Sequence, residues 1–152
     1  MANQFIPYGR QHITQTDIDA VVAVLQSDFL TQGSQVPAFE ERVAVYTGAK
    51  FGVAVNSATS ALHIACLALG LGQGEKGKDD WLWTTPITFT ASANCGLYCG
   101  ANIDFVDIDP LTLNMSVEAL EAKLKVAKAE NRLPKIVIPV HFTGEPLSLI
   151  HI

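Results

Sequence analysis

A chain of 152 residues with 49% hydrophobic and 16% charged residues has globular composition, and a domain of this length buries roughly 68–70% of its unfolded surface. Its net charge of −5 supplies no electrostatic footprint for nucleic acid. No apolar run reaches the length of about 18 residues that a membrane-spanning helix requires, so neither nucleic acid nor membrane is an expected partner.

The start, Met1-Ala2-Asn3-Gln4-Phe5-Ile6-Pro7, lacks a basic segment followed by an apolar one, so no secretory signal is read there and a cytoplasmic, reducing location is expected. Ile18, Val21, Val22 and Leu25 then recur at helical spacing behind Thr14 and Thr16, either of which can cap a first turn. This predicts a helix ending near Ser27. Val36, Phe39, Val43 and Tyr46 predict a second, closed by Gly48.

From residue 51 the pattern alternates between strand and helix. Residues 51–55 form a short apolar run predicted as a strand, and residues 58–69 an alanine- and leucine-rich helix ended by Gly70. Residues 81–84 predict the next strand, 89–99 a helix ended by Gly100, and 103–106 a third strand. Residues 116–129 predict a helix with Ser116 at its cap and Glu118 in its first turn, and 136–140 a fourth strand. This order predicts an α/β fold with a mostly parallel sheet and flanking helices. The insert at residues 72–80 is polar and glycine-rich and reads as a surface loop.

Cys95 and Cys99 lie four apart on a helix face, but without histidines or further cysteines beside them they read, with Cys66, as free core thiols and not as a metal site. Lys123, Lys125 and Lys128 read as a solvated helix face.

In a parallel sheet, ligands bind beyond the carboxyl ends of the strands, so the residues there are the candidates. Asn56-Ser57-Ala58-Thr59-Ser60 opens a helix whose free N–H groups and positive dipole end suit a phosphate. Taken alone this is weak, because capping residues occur at many such turns. In Thr85-Pro86-Ile87-Thr88-Phe89 the aromatic ring could stack on a flat cofactor, although a core phenylalanine at a helix start is the more ordinary reading. Asp107-Ile108-Asp109-Pro110 more often caps and turns a chain than binds anything. In His141-Phe142-Thr143-Gly144-Glu145-Pro146 the histidine could serve a ligand or hold the loop.

Taken together, these segments resemble one family. Asn56-Ser57-Ala58-Thr59-Ser60-Ala61-Leu62, then Thr84-Thr85-Pro86-Ile87-Thr88-Phe89 with Ala91-Ser92-Ala93-Asn94, then Gly100-Ala101 with Phe105-Val106-Asp107-Ile108-Asp109, then Pro139-Val140-His141 with Gly144 and Pro146 resemble the sugar aminotransferases of the DegT/DnrJ/EryC1/StrS group in wording, order and spacing. Phe29-Leu30-Thr31-Gln32-Gly33 and Phe39-Glu40 fit as well, so the resemblance reaches to about Pro146. Within the group the wording is nearest the transaminases of pseudaminic acid biosynthesis, which act on a UDP-linked 4-keto-6-deoxy sugar with glutamate as donor.

The resemblance implies an incomplete large domain of a fold-type I, aspartate aminotransferase-like enzyme dependent on pyridoxal 5'-phosphate. It implies that Thr59 and Ser60, with the Ala58 backbone, hold the cofactor phosphate and that Phe89 stacks on its ring. It implies a homodimer when intact. The family chemistry also needs a Schiff-base lysine and an aspartate at the ring nitrogen, and both are expected further along than residue 152, so no catalytic residue is assigned within the chain and no metal is implied. A member of the group with another sugar substrate, a dehydratase with histidine in place of the lysine, and a non-catalytic phosphate-binding α/β module stay open as alternatives.

The expected organisation is therefore a helical segment at 1–50, a partial cofactor-binding domain at 51–146 and a tail at 147–152, with the small C-terminal domain missing. The tail, Leu147-Ser148-Leu149-Ile150-His151-Ile152, resembles the translation of a transposon end used to prepare sequencing libraries and is expected to be non-native, with a natural pseudogene or a truncating frameshift as the alternatives that give a similar break.

Overall fold

A computed structural model describes residues 9–73, 77 and 79–147. The reading of the first seven residues, the middle of the polar loop at 72–80 and the tail beyond Leu147 lie outside the described residues. The chain divides into two compact units, Met1–Ala54 and Val55–Ile152.

The first unit holds α1 (Gln15–Leu25) and α2 (Gln35–Thr47). Thr14 caps α1: the Asp17 carboxylate accepts both its backbone N–H and its hydroxyl, each at 2.7 Å, which joins the first turn to the residue before it. Gly48 closes α2 as the sequence predicts. The Glu40 carboxylate accepts the Ala54 N–H at 2.8 Å and so ties the segment after α2 back to that helix.

Residues 51–55 are not a strand, contrary to the prediction from their apolar run. A strand exists only through the ladder it shares with a neighbour, and no strand among the described residues pairs with this segment. Its side chains show the same thing, since Phe51 and Val53 are 75% and 74% exposed.

The second unit contains α3 (Ala58–Ala68), β1 (Trp81–Thr84), α4 (Ala91–Tyr98), β2 (Asn102–Phe105), α5 (Val117–Ala129) and β3 (Ile136–Ile138). The three strands are parallel in the order β2-β1-β3, with Leu82 opposite both Ile103 and Ile136. Since β2 and β3 lie on opposite sides of β1, the two crossovers run in opposite directions. With a single hand of crossover, their helices must fall on opposite faces.

The core has that division. Leu82, with Ile103, Ile136 and Ile138, packs against Cys66, Leu71, Cys95 and Ala101 on one face. Trp83, with Trp81 and Val137, packs against Val106, Met115, Leu120 and Ala127 on the other. The period-two alternation of β1 thus serves two cores at once, and each fully buried aliphatic side chain such as Leu82 contributes about 1.5–3 kcal/mol. Gly96 lets α4 lie close to the sheet, because a Cβ there would stand 2.4 Å from Ile103 Cδ1 and 3.2 Å from Leu82 Cβ.

Cys66 and Cys95 are buried and Cys99 is half-buried, in line with the reading of small core side chains, and all three are free. Burial, followed by a hydrogen bond with Cys95, pushes the Cys66 thiol up to about 12. Lys125 and Lys128 are exposed as predicted, but Lys123 differs. Lys123 is not part of a solvated face: it reaches back to Asp104 on β2 at 2.7 Å and lies 5.1 Å from the centre of the buried Trp83 ring. Among the described helices none is long and apolar enough to cross a membrane.

Candidate functional site at the strand ends

An open sheet ordered β2-β1-β3 has its topological switch point between β1 and β3, and the crevice beyond those two carboxyl ends is where such sheets bind ligands. The two ends are joined there, since the Thr84 hydroxyl donates to the Ile138 carbonyl at 2.9 Å. Helix α3 runs back against the strands, and its N-terminus carries the first group of candidates.

Ser57 is the extended N-cap of α3, and its Oγ accepts the Ser60 N–H at 3.2 Å. The Ser60 hydroxyl donates to Asn56 Oδ1 at 2.8 Å, and the Ser57 hydroxyl in turn donates to Ser60 Oγ at 3.1 Å. This network holds the turn and uses up the polar groups of Ser60. The N–H groups of Ala58 and Thr59 and the Thr59 hydroxyl make no hydrogen bond among the described residues. Two convergent backbone donors, one hydroxyl and the positive end of an eleven-residue helix match the needs of a phosphate group.

Phe89 lies in the turn after β1, with its side chain 75% exposed. The ordinary reading of a core phenylalanine at a helix start does not describe it, and α4 begins two residues later, at Ala91. Short polar bonds shape this turn. The buried Thr85 donates from Oγ1 to the Ile87 carbonyl at 3.2 Å, and Thr88 Oγ1 donates to Ser92 Oγ at 2.7 Å. An exposed aromatic on a turn so fixed can cover a flat ring.

Asp107 and Asp109 cap and turn the chain. The Asp109 carboxylate accepts the N–H groups of Leu111 and Thr112 at 2.7 and 3.1 Å, and Ile108 bridges to Met115. His141 holds its loop, with Nδ1 accepting the Leu147 N–H at 3.0 Å. Sequence reasoning missed Asn114, which is 2% exposed. Its Oδ1 accepts the Phe142 N–H at 2.7 Å, and its Nδ2 donates to the Glu145 carbonyl at 3.0 Å. Asparagine in a turn carries no sign of partners so far along the chain.

Three of the described lysines of this unit are engaged elsewhere, while Lys128 stands exposed near the end of α5. Lys123 binds Asp104 and the Phe105 carbonyl, Lys125 binds Glu121, and Lys135 binds Asp80 and the Gly70 carbonyl. Three cavities of about 460–540 Å³ are lined by residues of the first unit.

Residues 11–152 match the DegT/DnrJ/EryC1/StrS aminotransferase family. The spore coat polysaccharide biosynthesis protein SpsC of Bacillus subtilis is 40% identical over 147 residues, which cover 97% of this chain and 35% of that protein. The UDP-4-amino-4,6-dideoxy-N-acetyl-beta-L-altrosamine transaminase of Campylobacter jejuni is 44% identical over 119 residues, 78% of this chain and 30% of the relative. Among solved structures, a Streptococcus pneumoniae protein described as a sugar aminotransferase matches in its PLP form with a TM-score of 0.79 and 30% identity, covering 96% of this chain and 34% of that one. The chain thus spans about a third of the length of these relatives. By its sequence and its sheet, the chain belongs to the DegT/DnrJ/EryC1/StrS aminotransferase family.

Proposed function

We propose that this chain forms the phosphate- and ring-binding part of a pyridoxal phosphate-dependent aminotransferase whose substrate is a nucleotide-linked 4-keto-6-deoxy sugar, with glutamate as amino donor. The observation that carries the reading is the unpaired first turn of α3, Ala58 and Thr59, on the strand-end side of a sheet that also exposes Phe89. In this reading the Ala58 and Thr59 N–H groups and the Thr59 hydroxyl hold the phosphate, Ser60 joins them by turning its hydroxyl from Asn56, and Phe89 covers the ring. Pyridoxal phosphate, when bound, supplies the electron sink through which an amino group passes from an amino acid to a ketone.

The name of the Campylobacter jejuni transaminase supports a UDP-linked sugar as substrate, and the likeness to the Helicobacter pylori aminotransferase PseC, described as involved in the biosynthesis of pseudaminic acid, supports a place in that biosynthesis. A cytoplasmic homodimer is the state proposed for the whole protein. The described lysines of the second unit, Lys123, Lys125, Lys128 and Lys135, lie on α5 or immediately ahead of β3 and not after the carboxyl end of a strand, so the chain by itself is proposed to be inactive.

The test uses the complete protein, loaded with pyridoxal phosphate and given glutamate and a UDP-linked 4-keto-6-deoxy sugar, with the product read by mass spectrometry. A 4-amino sugar is expected, and a deoxygenated sugar would make the protein a dehydratase instead. Thr59→Val removes one bond to a charged group, worth about 1.5–3 kcal/mol, so cofactor affinity is expected to fall roughly ten- to a hundredfold. Turnover by the 152-residue chain itself would refute its proposed inactivity.

A further inference from the structure

The loop at 141–147 follows β3 and borders the crevice at the β1/β3 switch point. It contains one 3-10 turn, Phe142–Gly144, with Thr143 at φ 59 and Gly144 at φ 86. Local backbone bonds from Phe142, Gly144 and Glu145 N–H to the Val140, His141 and Phe142 carbonyls run within it, and Asn114 adds ties from outside the loop. Both ends of the buried amide are used, Oδ1 by the Phe142 N–H and Nδ2 by the Glu145 carbonyl, and these two backbone groups bracket the turn.

A second consequence falls on His141. Because Nδ1 accepts the Leu147 N–H at 3.0 Å, the proton of the neutral ring is assigned to Nε2. His141 is exposed, and its Nε2 makes no hydrogen bond among the described residues. The bond to Nδ1 comes from the backbone N–H of Leu147, whose side chain packs against the core around Trp83 and Met115. The two sequence readings of this histidine are therefore compatible: one nitrogen holds the loop and the other is left as a donor.

We propose that Asn114 is a positioning residue for the strand-end site: it seats the loop at 141–147 and thereby fixes His141 as an Nε2–H donor to an oxygen of the bound ligand. The inference rests on the proposed cofactor reading for the identity of that ligand. The seating of the loop does not depend on it.

The experiment is nuclear magnetic resonance on the 152-residue chain, reading the ring nitrogens of His141 and the amide exchange of Leu147, without and then with pyridoxal phosphate. In the wild type a pure Nε2–H tautomer is expected. Asn114→Ala should give a tautomer mixture and exchange at Leu147 roughly tenfold faster, with the β1 amides unchanged. Asn114→Asp keeps the acceptor for Phe142 and loses the donor to Glu145, so it should fall between the two, and it decides the matter if the alanine variant does not fold.

Unchanged tautomer and exchange in both variants, or an equal loosening of the β1 amides, would overturn the positioning role. On adding pyridoxal phosphate, the His141 Nε2 resonance should shift in the wild type and not in Asn114→Ala. A response at Thr59 and Phe89 without one at His141 counts against this inference alone. Silence at all three counts against the cofactor reading as well.

Discussion

Gly96 gives the sharpest test of how α4 sits on the sheet. Replacing a helix-interior glycine by alanine ordinarily stabilises by about 1 kcal/mol. Here the new Cβ would stand 2.4 Å from Ile103 Cδ1 and 3.2 Å from both Cβ and Cδ1 of the fully buried Leu82. Overpacking of this kind costs about 1–3 kcal/mol, and a displacement of more than an ångström places it at the upper end. Gly96→Ala is therefore expected to destabilise by about 1–2 kcal/mol after the helical gain is subtracted. Ile103→Val removes the atom in closest conflict and alone costs about 0.5–1.5 kcal/mol. The double variant should recover about 1–2 kcal/mol relative to the sum of the two. The chain has two tryptophans, Trp81 and Trp83, and both lie on β1, so urea unfolding followed by their fluorescence reports this sheet and not the first unit. Strict additivity, or a more stable Gly96→Ala, would refute the close approach of α4 to Ile103.

Ser57→Ala should cost about 1 kcal/mol through the lost cap of α3, read from the same fluorescence transition; no change would mean that the Ser60 N–H finds another acceptor. Burial acts to raise the Asp80 pKa, but the Gly72 N–H and the Lys135 ammonium outweigh it and hold the carboxyl below its usual range. A folded pKa below the unfolded one gives stability that is present above the unfolded value, near pH 4, and lost as pH falls through the folded value. Lys135→Met should therefore flatten the acid limb of stability against pH, and parallel limbs would show that the ion pair contributes nothing. With a thiol reagent at pH 8, half-buried Cys99 should react first, and Cys66 and Cys95 only on unfolding; one fast phase for all three would contradict the packing of α3 on α4.

What the sequence made legible was whatever depends on near neighbours. Helix α5 was readable from Ser116, whose Oγ accepts the Ala119 N–H, and β1 from its apolar run between polar segments. The two-faced packing followed from the alternation of strands and helices. Properties that depend on distant partners were not legible. Residues 51–55 have strand-like composition, but pairing belongs to two segments at once. Lys123 has the spacing of a solvated helix face, yet its stem reaches Asp104 across the Trp83 ring. At the site, the hydroxyl-rich turn was visible as a candidate, whereas the exposure of Phe89 required knowing that α4 starts at Ala91. Asn114 gave no local signal, because its partners lie 28 and 31 residues away.

The same distinction between local and distant determinants separates binding from chemistry in this chain. The proposed phosphate cradle is made by one helix start and its cap, all within residues 56–60. The position of Phe89 is set by Thr85, Thr88 and Ser92 within the turn after β1. Both turns are anchored on a sheet whose two faces are closed by α3, α4 and α5 from the same unit. Groups encoded so locally keep their geometry wherever that unit folds. A free amine at the strand ends is a different requirement, and the described lysines of the unit lie on α5 or immediately ahead of β3. In the proposed reading, affinity for a phosphate-bearing ring and the capacity to turn it over are thus separable, and recognition of the ring is the part that falls to residues 56–60 and Phe89.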